Sequence, residues 1–311
     1  MKVESVLDLI GSTPMVGIHE LSPNPNVKIY LKLEGQNPAG SIKDRIALAL
    51  ITDAEKRGVL KPGGTVLESS SGNTGIGLAM VCRLRGYRLV VVVADNVTKE
   101  RIDLLKSFGA EIIFSPGKLG SNGAIVRAKE LSANNPEWVL LYQYGNEANS
   151  LAHEETTGPE ILEDCPEIDI FVAGLGTSGT LMGVSRFFRK AKPEVKIVAV
   201  EPPTGESVTG LRSLDDGFIP EIFDAELIDR KIMIRSQESL EMTRELLNTC
   251  GIFVGVSTGA VVAGAVKQAQ QMDSGTIVVI SPDSGWKYLS AGVWTDSLDD
   301  VVSTSETINF W

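Results

Sequence analysis

Short runs rich in β-branched residues alternate with stretches of helical period along almost the whole chain, and this alternation restricts the fold more than any other feature. A strand, a crossover helix and a further strand let consecutive strands run parallel, with helices covering the sheet faces. The strand-like runs are 28–33, 65–68, 89–93, 111–114, 138–142, 168–173, 196–201, 231–234 and 276–280. Helical spacing covers 43–57, 73–85, 99–108, 122–131, 147–162, 178–189, 240–250 and 258–271, with Gly86 and Gly109 as stop signals. The expected fold class is therefore α/β with mostly parallel twisted sheets. A chain of 311 residues suits about two domains. The Gly-Asn loop at 144–149 is the best boundary, giving 1–145 and 146–311 with a ligand cleft between them. Residues before about position 35 are free to pack on the second domain.

Charge and composition exclude several functions. A net charge of -11 argues against general binding to nucleic acid or an anionic membrane. Cys82, Cys165 and Cys250 are scattered without a C-x-x-C, which fits a reduced cytoplasm and offers no zinc site. His19 and His153 are the only histidines, so a metal centre or a histidine triad is not expected and both read as structural. The apolar run 89–94 is far too short to span a bilayer.

Four turns carry the chemistry. In Asn37-Pro38-Ala39-Gly40-Ser41-Ile42-Lys43-Asp44-Arg45, Ser41 and Asp44 form an expected capping pair, and Lys43 falls in the first helical turn. The positive end of the helix dipole should lower the proton affinity of that amine and make it a nucleophile for a carbonyl. Ser69 to Gly75, Ser-Ser-Ser-Gly-Asn-Thr-Gly, joins a strand to a helix with enough hydroxyls and first-turn amides to bind a carboxylate. Gly174 to Thr180 satisfies G-x-G-x-x-G, with Glu201 closing the next strand, so a NAD-dependent dehydrogenase using 174–179 is the rival reading. The hydroxyls of Thr177, Ser178 and Thr180 favour a terminal phosphate monoester instead. Gly255 to Ala260 is a further hydroxyl-bearing turn, in which Ser257 either caps the helix or offers a neutral hydrogen bond to a ring nitrogen.

In order and spacing these four turns resemble pyridoxal-phosphate enzymes of the tryptophan-synthase-β type, whose fold consists of two three-layer α/β domains. Within that group the chain is similar over nearly its whole length to cysteine synthases. Residues 141–146, 251–253 and 285–290 resemble the B-type O-acetylserine and O-phosphoserine sulfhydrylases. The position of Ser70 is usually threonine in the family. Asp283-Ser284-Gly285-Trp286 departs from the A-type Ser-Ser-Gly-Glu and weakens any transfer of A-type preferences.

The resemblance implies pyridoxal 5'-phosphate as cofactor, held as a Schiff base by the catalytic Lys43. Asn73 would bond the ring's 3-hydroxyl, Gly176, Thr177, Ser178, Gly179 and Thr180 would hold the phosphate, and Ser257 would face the pyridine nitrogen. Ser70, Ser71, Gly72, Thr74 and Gln143 would bind the substrate carboxylate, with Arg212 turned toward a phosphate leaving group. The implied reaction is L-cysteine synthesis by β-replacement through an aminoacrylate, with sulfide, thiosulfate or a thiocarboxylated sulfur-carrier protein as donor. A cytoplasmic homodimer is implied, and a non-catalytic metabolite sensor on the same fold is the second rival. The closing Asn309-Phe310-Trp311 is expected to dock, either at a subunit interface or over the cleft.

Overall fold

The structure, a computed structural model, describes residues 2–70 and 72–307, with backbone only for 303–307. Ser71 and the closing residues 308–311, on which two of the expectations above fall, lie outside the described residues.

Among the described residues ten strands form two sheets. The smaller contains β3 (Thr65–Ser69), β4 (Arg88–Ala94), β5 (Glu111–Ser115) and β6 (Trp138–Leu140) in the order β5-β4-β3-β6, all parallel. The larger contains β1 (Met15–Gly17), β2 (Val27–Leu33), β7 (Ile170–Gly174), β8 (Lys196–Glu201), β9 (Arg230–Met233) and β10 (Gly275–Ser281), ordered β1-β2-β10-β7-β8-β9. Only β1 runs antiparallel there. β2 pairs with β10 from Val27↔Gly275 to Leu33↔Ser281, so β1 and β2 belong with the larger sheet, while Leu7 and Ile10 pack against the core of the smaller one.

Apolar residues on both faces of these strands account for the layers. In β7 and β8, Phe171, Ala173, Ile197 and Ala199 pack under α6 (Gly158–Asp164) and α7 (Gly179–Ala191). Their neighbours Ile170, Val172, Val198 and Val200 pack under α8 (Ser236–Cys250) and α9 (Val256–Ala269). In the smaller sheet, Val66, Val91 and Val93 face α1 (Lys43–Lys56) and α2 (Asn73–Arg85), with α3 (Lys99–Ser107) completing that layer. Leu67, Val90 and Val92 face α4 (Gly120–Asn134). A strand buried on both sides loses the polar alternation of a half-exposed one, which is why these segments read as near-continuous apolar runs.

Three elements differ from expectation. β1 is three half-buried residues at an edge, too short to carry a period. α10 (Leu298–Thr307) lies in a stretch that reads as polar and acidic. The helix expected over 147–162 is divided into α5 (Ala148–Ala152), a π turn (His153–Thr157) and α6. Among the described residues no helix is long and apolar enough to cross a membrane.

Candidate active site

The C-terminal ends of β3 and β7 open toward one cleft, the place where parallel sheets present ligand-binding loops. A cavity there is lined by Lys43, Ser70, Gly72, Asn73, Thr74, Gln143, Gly176, Thr177 and Arg212, joined by Arg101, Ser121, Thr209, Gly210 and Tyr288 among others. Residues from both sheets thus converge on one volume. Ser178, Gly179, Thr180 and Ser257 are not among its lining residues.

Lys43 opens α1, but the expected capping pair does not form as drawn: Ile42 is the N-cap residue and no side chain caps the helix. Instead Ser41 Oγ accepts from the Lys43 amide at 3.2 Å, and Asp44 Oδ2 reaches back to the Ala39 amide at 2.6 Å, closing the turn in which Gly40 takes φ +82°. The Ile42 amide donates to Pro282 O at 2.8 Å, pinning this turn to the segment after β10. The Lys43 pKa is lowered from 10.5 to about 8 by burial, with the Asp283 carboxylate opposing. Desolvation, more than the expected helix dipole, loosens its proton.

Three side chains that no local pattern marked surround the turn. Lys287 is fully buried and donates to Ala39 O, Gly40 O and Asn73 Oδ1 at 3.0, 3.1 and 2.7 Å. Asp283 Oδ2 accepts from Asn73 Nδ2 at 2.7 Å and from the Tyr288 hydroxyl at 2.7 Å. Lys287 and Asp283 together fix which way the Asn73 amide faces, and one Nδ2 hydrogen is left for a ligand. Their charged character is plain in the sequence, but their burial depends on the fold.

In the loop after β3, Ser70 Oγ accepts from the amides of Gly72 and Gly75 at 3.3 and 3.0 Å, which leaves its own proton to donate. Thr74 Oγ1 donates to Gln143 Oε1 at 2.7 Å, while Gln143 Nε2 donates to Ser69 O at 3.2 Å. Beneath them lies Glu68, fully buried, whose pKa burial raises from 4.5 to about 7 against hydrogen bonds from backbone amides of Ser69, Gln143 and Tyr142.

The loop after β7 forms an anion cradle. Ser178 adopts φ +70° and turns the chain into the N-terminus of α7, whose first amides face the turn. A Cβ on Gly176 would lie 2.8 Å from Gly210 O, so only glycine lets the two loops approach. Ser178 Oγ and Asn149 Oδ1 are buried without a hydrogen-bond partner among the described residues. A hydroxyl stranded at the mouth of a helix N-terminus fits an oxyanion such as a phosphate monoester. Glu201, by contrast, is buried and accepts from Lys231 Nζ at 2.8 Å and the Leu214 amide at 3.2 Å, so it is not presented to a ribose. Ser257, also buried, sits in the first turn of α9, its Oγ 3.6 Å from where a Gly210 Cβ would lie.

Lysine, anion cradle and hydroxyl-bearing loop facing one cavity make a site suited to an aldehyde cofactor carrying a phosphate. The sequence model of the family described as "Pyridoxal-phosphate dependent enzyme" matches residues 6–283. The chain belongs to this family. Within it, the chain is 41% identical over 308 residues to a cysteine synthase of Staphylococcus aureus, covering 96% of this chain and 98% of that one. It is 44% identical over 286 residues to cysteine synthase B of Escherichia coli, covering 92% and 94%. A crystal structure of O-ureido-L-serine synthase superposes with a TM-score of 0.89 at 39% identity, over 94% of this chain and 96% of that one. This is a pyridoxal-phosphate enzyme of cysteine-synthase type, and both the dehydrogenase and the non-catalytic sensor readings are set aside.

Proposed function

We propose that the enzyme makes L-cysteine by replacing the β-substituent of an activated L-serine with sulfur, and that the substituent it favours is phosphate. When bound, pyridoxal phosphate supplies the electron sink for proton loss at Cα and departure of the β-group. Lys43 would hold the cofactor covalently at rest and, with its amine free, would move the Cα proton. Asn73, fixed by Lys287 and Asp283, would orient the ring through its oxygen substituent. The loop 176–180 would anchor the phosphate, and Ser257 would offer the ring nitrogen a neutral hydroxyl, which would restrain the sink and favour elimination over a long-lived carbanion. Ser70, Gly72, Thr74 and Gln143 would hold the substrate carboxylate, together with Ser71 as the sequence resemblance implies.

The observation that carries the choice of substrate is the charge of the cavity wall. In a protein of net charge -11, the cavity is lined by Lys43, Arg101 and Arg212 and by no aspartate or glutamate among the described residues. Arg212 lies 4.3 Å over the Phe218 ring and donates to Asn122 Oδ1 and Ser121 Oγ at 3.2 and 3.0 Å. Among the described residues no carboxylate pairs with it, although Asp215 and Asp216 follow closely in sequence. A guanidinium held by neutral groups keeps its charge available for a phosphate dianion.

Sulfide gives L-cysteine directly, whereas thiosulfate would give S-sulfocysteine, released as L-cysteine by a thiol reductant, and a thiocarboxylated carrier-protein tail would give a cysteinyl adduct, released by hydrolysis. The same reading gives a cytoplasmic homodimer, for which the groove containing Ile10, Leu48, Ala49 and Leu151 is the apolar face. Arg212→Ala should lower kcat/KM on O-phosphoserine by about a hundredfold or more, the loss of a charge-assisted pair, and change O-acetylserine turnover by only a few-fold. Equal losses on both esters contradict the phosphoserine preference. Absence of L-cysteine with either ester contradicts the function.

A further inference from the structure

His153 takes no part in the chemistry above, yet it is fully buried directly behind the phosphate loop. It opens the π turn between α5 and α6, where one extra residue per turn realigns the side chains, and such turns recur at functional sites. Its Nδ1 lies 2.9 Å from Thr157 Oγ1 and its Nε2 lies 3.3 Å from Thr180 Oγ1. α7 rests on the turn at close range, since a Cβ on Gly183 would lie 2.7 Å from His153 Cβ.

We propose that His153 is a positioning residue whose Nε2–H donates to Thr180 Oγ1 and so turns the Thr180 hydroxyl proton toward the cofactor phosphate. This rests on the loop 176–180 being the phosphate site. Burial first, and then the nearby Lys43 and Arg45 charges, hold His153 well below its usual pKa of 6.5, so the ring is neutral and carries one donor and one acceptor. With the proton on Nδ1, Nε2 would accept from Thr180 and consume the hydroxyl proton on the side away from the anion. With the proton on Nε2, Thr157 donates to Nδ1, Nε2 donates to Thr180, and the Thr180 proton remains for the phosphate.

One helical turn earlier the same face repeats the device. Asn149 Nδ2 donates to Thr177 Oγ1 at 3.1 Å, which again leaves a threonine proton free to point into the loop. The same Nδ2 donates to Gln143 O at 2.7 Å, joining the cradle to the residue that pairs with Thr74. Two donors spaced i, i+4 on one buried face, each aimed at a threonine oxygen of one loop, match an anion that needs both hydroxyl protons.

The chain has only two histidines, so nitrogen NMR of the labelled holoenzyme assigns the tautomer directly. The expected result is a proton on Nε2, a bare Nδ1 and no titration from about pH 6 to about pH 8. A proton on Nδ1, or an imidazolium, overturns the proposal. His153→Leu should weaken cofactor retention roughly tenfold, as for one lost hydrogen bond to a group serving a charge, and should shift the phosphorus resonance of the bound cofactor. His153→Gln, which keeps an N–H at the ε position, should restore both. Unchanged retention in His153→Leu overturns the proposal, and if that variant fails to fold the tautomer of the wild type still decides. Thr180→Val separates the two levels of inference. If it weakens retention while His153→Leu does not, only the role of His153 fails; if neither does, the phosphate site lies elsewhere.

Discussion

An amine stripped of water loses part of its hold on the proton, and Lys43 shows the effect with a pKa lowered from 10.5 to about 8. Below about pH 8 the folded protein carries an unfavourable buried charge, and that cost disappears as pH rises toward the unfolded value of 10.5. The rate at which apoprotein captures pyridoxal phosphate should therefore climb about tenfold per pH unit below 8 and level off above it. Stopped-flow absorbance would measure this, and a flat profile from pH 6 to about pH 8 would contradict the assignment. Glu68 works in the opposite sense. Its pKa is raised from 4.5 to about 7, so the fold holds that proton more tightly than the unfolded chain does. The resulting stability is full below about 4.5 and is lost as pH rises through about 7, a loss on the order of 3 kcal/mol. Comparing urea midpoints near pH 5 and near pH 8, the wild type should lose more stability than Glu68→Gln; parallel changes would show that Glu68 does not titrate there. Lys43, Asn73 and the hydroxyl-rich turns are legible in the sequence because each signal is local, a residue type at a fixed offset in one turn. Lys287, Asp283 and His153 are not, because what distinguishes them is burial against partners from distant segments.

At the scale of elements, the turn before α1 and the segment after β10 form one unit. Ser41 bridges to Asp283 in antiparallel fashion, and Lys287 fills three acceptors, two of them carbonyls of the lysine turn. Lys287→Met would leave these oxygens buried without a donor, a cost of roughly 3 kcal/mol. Calorimetry should record the lower Tm, and an unchanged Tm would mean that water or a neighbour takes over the acceptors. The regular elements of both sheets are visible in the sequence, β8 and α2 to the residue, because their apolar runs and glycine stops are unambiguous. The π turn is invisible for a physical reason. Its extra residue is absorbed by contacts with α7, including the glycine contact at Gly183, and leaves the helical period of 147–162 almost unbroken.

For the molecule as a whole, the alternation of strand and helix gives away the parallel α/β class, but not which strands are neighbours. Strand order is decided by pairing at a distance, as when β2 lies against β10, far later in the chain. The chain leaves the larger sheet after β2 to form the lysine turn, and Arg212 returns the connection by reaching Ser121 and Asn122 at the start of α4. Two sheets held this way present the lysine, the hydroxyl-bearing loop after β3 and the loop after β7 to one cavity. The central claim is that Lys43 is the residue that carries the cofactor. It has one real competitor, since Lys287 is also buried with a pKa lowered to about 8, though its amine is engaged by three oxygens. Borohydride reduction of the holoenzyme, followed by peptide mass spectrometry, distinguishes them. The predicted result is a pyridoxyl group on Lys43 and nowhere else; a label on Lys287, or no label at all, would contradict the account.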